Sequence, residues 1–181
     1  MQSFGTSGTR LQSSVKVISL EQQEIVYTYK AEAKKIITDI KYQDKNKIIC
    51  MFDDRIIQIT DFVPEEKFAF TNDTLFADIG LNNYFVTATK VSSGIFTSET
   101  NIEMTNLQNG SSSMYKINAI PKAITTYQDV IAINLGTEVH FIHVNGWLIK
   151  KYTSTRNIEE VVLCSGVAGI VYKDKIELVN L

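Results

Sequence analysis

Val139-His140-Phe141-Ile142-His143-Val144 decides the fold, because its order (apolar, polar, apolar, any, polar, apolar) returns four more times. The other copies are Val15-Lys16-Val17-Ile18-Ser19-Leu20, Ile57-Gln58-Ile59-Thr60-Asp61-Phe62, Ile102-Glu103-Met104-Thr105-Asn106-Leu107 and Ile176-Glu177-Leu178-Val179-Asn180-Leu181. Their starts are 42, 45, 37 and 37 residues apart. A unit of short strands recurring at roughly 40–50 residues has the spacing of a four-stranded propeller blade.

Working outward, each of the last four copies follows an apolar run, with a short polar turn between them in three cases and a longer loop before the copy at residue 102. These runs are residues 47–52, 84–90, 129–135 and 167–172. An earlier run precedes each one, at residues 36–42, 75–81, 122–127 and 158–164. After the first four copies comes a stretch containing aromatics, at residues 25–29, 67–71, 113–117 and 148–153. Ile, Val, Tyr, Phe and Thr dominate these runs, and Asp-Asp, Asn-Asn, Asn-Gly and Ser-Gly pairs punctuate them, which is the signature of antiparallel strands. With the strands named A to D, the chain reads CD-ABCD-ABCD-ABCD-ABC. The fold class expected is all-β, a propeller or partial propeller of four-stranded antiparallel blades. Residues 14–181 form the blades, and the Ser-, Gly- and Thr-rich residues 1–13 read as a flexible lead-in.

The first blade lacks strands A and B, and the last lacks D. The expected reading is therefore the C-terminal part of a larger propeller, with either missing blades or self-association covering exposed faces. The alternative is closure within the chain, residues 15–29 folding onto residues 158–181.

Composition narrows the functions. Hydrophobic residues make up 44% and prolines number two, so a packed core is expected. Lys and Arg number 18 against 20 Asp and Glu, and no basic stripe stands out, which argues against nucleic acid as partner. No apolar run approaches the roughly 20 residues of a membrane span, so membrane insertion by this chain is not expected.

The last third, from Glu138-Val139-His140-Phe141-Ile142 through Asn145-Gly146-Trp147-Leu148-Ile149-Lys150-Lys151-Tyr152-Thr153-Ser154 to Ala168-Gly169-Ile170-Val171-Tyr172-Lys173-Asp174-Lys175-Ile176-Glu177, resembles the C-terminus of an uncharacterised family of clostridia and related Firmicutes. Members of that family resemble quinoprotein-like (PQQ-like) propellers. The resemblance is specific over residues 120–181 and only blade-like before them. It implies an N-terminal anchor elsewhere in the whole protein, a location on the outer side of a bacterial membrane, and no assigned activity.

The candidate chemistry is sparse. His140 and His143 are the only histidines, but residues three apart on a strand point to opposite faces, so they do not chelate together. Both occupy polar columns of the repeat. Asp53-Asp54, Glu65-Glu66 and Glu159-Glu160 read as divergent or turn carboxylates rather than an acid–base pair. Asn72 and Asn109 open glycosylation-type tripeptides and read as turn residues. No P-loop, nucleophile elbow or zinc-helix motif occurs, and the Ser92-Ser93-Gly94 and Gly110-Ser111-Ser112-Ser113 runs read as loops. The groups a quinone would demand are not recognisable. No catalytic residue, metal or cofactor is therefore expected.

Trp147 reads as packing between blades, with an exposed ligand-stacking ring as the alternative. Cys50 and Cys164 lie in apolar runs and read as buried thiols. The function expected is a non-enzymatic binding or scaffold module at the bacterial cell envelope, with a protein or an envelope glycan as partner. The alternative is a hydrolase or lyase acting on envelope carbohydrate, its active site in further blades. Contact is expected on the rim formed by the D-to-A and B-to-C connections, with Lys35, Asn72, Asn118 and Arg156 as binding residues and the longest loop at residues 91–100.

Overall fold

In the computed structural model, residues 2–7, 10–80, 82–91 and 98–181 are described, and the element order contains strands alone. The central part of the long loop at residues 91–100, with Ser92-Ser93-Gly94, lies outside the described residues. The chain divides into two compact units, Met1–Thr71 and Asn72–Leu181.

The first unit holds two sheets. One is the meander β1 (Gln2–Ser7), β2 (Arg10–Ser19) and β3 (Glu24–Lys30). The other is β4 (Ile37–Asp44), β5 (Lys47–Phe52), β6 (Arg55–Thr60) and β7 (Val63–Ala69). The stretch expected as a lead-in is thus drawn into strands. Gln2 pairs with Val15 and Ser7 with Arg10, so the early polar backbone satisfies its donors and acceptors in a ladder. Val15, Ala31, Ile37, Cys50, Phe52, Ile57 and Ile59 pack between these two sheets. The buried Ser13 hydroxyl donates to the Lys35 carbonyl at 2.8 Å and accepts from the Ile37 amide at 3.2 Å, pinning the D-to-A connection.

The second unit stacks three sheets. They are β8 (Thr74–Ile79) to β11 (Ser112–Ile117) through β9 (Tyr84–Val91) and β10 (Glu99–Asn106); β12 (Ala123–Tyr127), β13 (Val130–Asn134), β14 (Glu138–His143) and β15 (Leu148–Thr153); and β16 (Glu160–Cys164), β17 (Val167–Val171) and β18 (Ile176–Asn180). Strands β2, β6, β10, β14 and β18 are the five copies of the repeat. The β16–β18 sheet has three strands, and the β2–β3 hairpin forms its sheet with β1.

The middle sheet is apolar on both faces because both are covered. Ile131, Ile133, Ile142 and Val144 meet Val86, Ala88, Ile102, Met104 and Ile117 of the sheet before. Ala132, Val139 and Phe141 meet Val161, Leu163, Ala168, Ile170 and Val179 of the sheet after. Continuous apolar strands such as β13 follow from burial on two faces rather than one. Polar ties hold the stack in register. Asp78 Oδ2 accepts from the Thr126 amide at 3.0 Å and its hydroxyl at 2.9 Å. Antiparallel sheets stacked in this way are those of a β-propeller, and the fold is a partial propeller.

Candidate functional site

The four residues expected on the D-to-A rim lie on four separate connections between sheets. Lys35, in the first unit, pairs with Asp54, and that hydrogen bond holds its ammonium above the usual lysine range. Asp54 in turn is held below the usual carboxylate range, first by Arg55 and then by Lys35. Asn72 and Asn118 are exposed connection residues. Arg156 donates to Asp174 Oδ1 at 2.6 Å, and its guanidinium lies 5.4 Å from the centre of the Tyr172 ring. Its charge is spent on a local pair and a cation–π contact.

Other expectations are altered. Cys50 is buried, and burial pushes its thiol up to about 12. Cys164, expected to be buried as well, is exposed, because alternation along β16 turns it away from the face that meets the middle sheet. The two histidines have separate surroundings. His140 is buried, with Nδ1 3.0 Å from the Tyr115 hydroxyl and Nε2 on Glu138. Lys151 closes the chain at 2.9 Å from Glu138 and, with His140, holds that carboxyl below its ordinary range.

Trp147 corrects the packing expectation. It is 53% exposed, and its ring stacks on His143 with centroids 4.8 Å apart and planes 11° from parallel. The cause is the turn before it. Gly146 has φ +88°, a conformation that favours glycine, and a Cβ there would stand 3.0 Å from the Met114 carbonyl oxygen. The chain therefore reverses tightly at the end of β14, delivering Trp147 to the rim, while Ile142 and Val144 fill the slot between sheets.

A hollow of about 180 Å³ lies at this rim, lined by Tyr84, Met104, Ser111, Ser112, Ser113, Val144 and Asn145. Two repeat copies build it. The β10–β11 hairpin supplies Ser111 to Ser113, and the turn after β14 supplies Val144 and Asn145. Asn106 Oδ1 accepts from the Gln108 amide at 2.8 Å and Asn109 Oδ1 from the Ser111 amide at 2.9 Å, which fixes the serine turn. The Ser113 hydroxyl donates across to the Val144 carbonyl, and so clamps one turn on the other. Among the described residues, the side chains of Ser111, Ser112 and Asn145 make no hydrogen bond within the protein and are exposed. No lining residue is charged.

The signal for this site stood in the sequence as Asn145-Gly146-Trp147 and Gly110-Ser111-Ser112-Ser113, at the same point of successive copies. Reading each run alone as turn composition hid their convergence.

The first unit has a hollow of different character at the equivalent C-to-D turn. It is about 140 Å³, lined by Val17, Tyr42, Ile48, Ile59 and Phe62 with Lys45, Asn46 and Asp61 at its margin. Phe62 has φ +66°, which costs an aromatic residue strain, and it stacks on Tyr27 at 5.0 Å.

No family model and no curated protein matches the sequence. Solved structures do match in fold. Hsv2 of Kluyveromyces lactis aligns with a TM-score of 0.67 at 12% identity, over 99% of this chain and 61% of that one. Hsv2 of Kluyveromyces marxianus aligns with a TM-score of 0.62 at 14% identity, over 94% of this chain and 56% of that one. The chain thus spans about six-tenths of the length of these propeller-like proteins, and identity this low shows a shared fold alone.

Proposed function

We propose that this chain is a non-enzymatic binding module, built on propeller blades that serve as scaffold, and that its recognition surface is the hairpin-turn rim of the second unit. The observation that carries the reading is Trp147, held 53% exposed at the tip of the β14–β15 hairpin. A half-exposed tryptophan held rigidly by a stacked histidine is costly surface to leave in water unless something covers it. Two of the carboxylates have close partners. Glu138 is tied to His140 and Lys151, and Glu177 to Lys175 and Tyr152. The proposal keeps the clostridial family resemblance and, with it, the outer side of a bacterial membrane as the place of work.

The test is retention. Immobilised wild-type chain and its Trp147→Ala variant are challenged with envelope protein and envelope glycan fractions. Retention by wild type, loss in the variant and no new reducing ends after long incubation is the expected result. Equal retention by the variant would remove the site from the proposal. Steady release of reducing ends would replace the binding module with a carbohydrate-cleaving enzyme.

A further inference from the structure

We infer that the hollow of the first unit is a site for a free α-amino acid with a large apolar side chain, the side chain lying in the hollow, the carboxylate on Lys45 and the ammonium on Asp61. The site belongs wholly to the first unit and does not involve Trp147.

Three observations point to that class of ligand. First, the hollow is apolar within and charged at its margin. Ile59 is wholly buried, Val17 and Ile48 are half-buried, and the rings of Tyr42 and Phe62 are exposed. Its volume is about 140 Å³, and an apolar cavity of about 150 Å³ holds a benzene ring, so one large side chain fills it. Second, Lys45 and Asp61 line the same hollow and are exposed, and among the described residues neither side chain has an ion pair or a hydrogen bond. An α-amino acid carries its ammonium and carboxylate on the carbon that bears the side chain. An apolar group set in the hollow therefore brings one charge of each sign to the margin, where Asp61 and Lys45 match them. A quaternary ammonium would instead press a permanent cation against Val17, Ile48 and Ile59. Third, one wall is built at a conformational cost. Thr60 pairs with Val63 around Asp61 (φ +49°) and Phe62 (φ +66°), a two-residue turn whose positive angles ordinarily call for Asn-Gly. Phenylalanine serves that turn worse than glycine, and what its ring adds is a wall of the hollow, stacked on Tyr27 at 5.0 Å. The two turns that carry the charges are tied together. The Asp61 amide donates to the Asn46 carbonyl at 3.0 Å, and the Asn46 amide donates to Asp44 Oδ1 at 3.1 Å. Little ordering cost falls on binding.

The labelled intact chain is titrated with L-leucine, L-methionine and L-phenylalanine and followed by backbone amide NMR. The controls are glycine, choline, and the amide, N-acetyl and doubly capped derivatives of the tightest binder. At least one of the three amino acids should give saturable shifts centred on Val17, Lys45 to Ile48 and Asp61 to Val63, while glycine and choline should not saturate. The amide and the N-acetyl derivative should each bind about fivefold more weakly than the parent, the loss of one exposed ion pair at the top of its range. Lys45→Gln should weaken the parent by the same factor and leave its amide no weaker. Asp61→Asn, which keeps a residue tolerant of positive φ, should weaken the parent and leave its N-acetyl derivative no weaker. Phe62→Gly suits the turn and removes the wall, so saturation should be lost in a chain that still folds.

Equal binding of the doubly capped derivative would overturn the inference and assign the hollow to an apolar side chain of a partner chain. Equal binding of glycine, tighter binding of choline, or undiminished binding by Phe62→Gly would overturn it as well. So would the same loss for parent and amide in Lys45→Gln, or for parent and N-acetyl derivative in Asp61→Asn. If none of the three amino acids saturates the shifts, the site is not one for amino acids.

Discussion

The β12–β15 and β16–β18 sheets follow the same repeat column by column, yet only the first is covered on both faces. Val139 and Phe141 of β14 are wholly buried, while Ile176 and Leu178, which hold the same columns of β18, are 65% and 78% exposed. Ala132 is buried among neighbours, and Gly169 stands in its place on β17. The side chains have one chemistry and two environments. Apolar character in a repeat therefore marks the face a blade is built to cover, whether or not anything covers it. The pattern alone does not tell the two sheets apart.

Stability measurements should separate them most strongly. Phe141→Ala removes a side chain packed against the neighbouring sheet and should cost about 3–5 kcal/mol, the usual price of an aromatic-sized core cavity. Leu178→Ala should stay within about 0.5 kcal/mol, as exposed substitutions do. Urea unfolding of both variants decides it, and similar losses would mean that the outer face of β16–β18 is buried in solution.

Association is the next lever. An apolar face bearing Val162, Ile176 and Leu178, beside the outer edge of β18, should draw copies together. Light scattering after size exclusion should show species above the monomer mass, reduced by the Ile176→Lys, Leu178→Lys double variant with its melting curve preserved. A wild-type monomer at high concentration would break the link between exposure and association.

A smaller contrast lies in two turns. Gly146 (φ +88°) and Gly166 (φ +70°) both occupy the left-handed region, but only Gly146 has backbone within 4 Å of a new Cβ. Alanine at either should cost about 1–2 kcal/mol for the conformation. Gly146→Ala should cost more than Gly166→Ala, the excess measuring how tightly the covered sheet's rim is packed. Equal losses would show that Met114 gives way.

The smallest effect is on acid stability. Glu138 is held below its ordinary range by Lys151 and His140, so it binds fewer protons folded than unfolded. Its contribution is fully present above the unfolded carboxylate value of about 4.3 and is lost as pH falls through the lower folded value. Glu138→Gln should therefore flatten the acid limb of a stability–pH curve and leave the alkaline limb alone. An unchanged acid limb would show the pairing to be idle in solution.

Much of this fold was legible because strands alternate with period two and the repeat fixes their phase. Lys47–Phe52 and Leu148–Thr153 fall where the sequence puts them. Gln2–Ser7 was not legible, since Ser, Gly and Thr carry no burial pattern and the strand exists through pairing with Arg10–Ser19. The site was legible only in parts. Asn145-Gly146 announces a turn, but that the turn places Trp147 outside the stack depends on φ at Gly146 and on Met114, 32 positions earlier in the chain. Lys35 and Arg156 looked available because their partners, Asp54 and Asp174, arrive from other strands' turns.

The central claim is that recognition belongs to the hairpin-turn rim and not to the bare face of β16–β18. Backbone amide NMR of the labelled chain, titrated with the envelope component that the wild-type chain retains, tests it most directly. The account predicts saturable shifts confined to Tyr84, Ser111 to Met114 and His143 to Trp147, with Val162, Ile176 and Leu178 unmoved. Shifts centred on Val162, Ile176 and Leu178, with the Trp147 indole resonance unmoved, would contradict it.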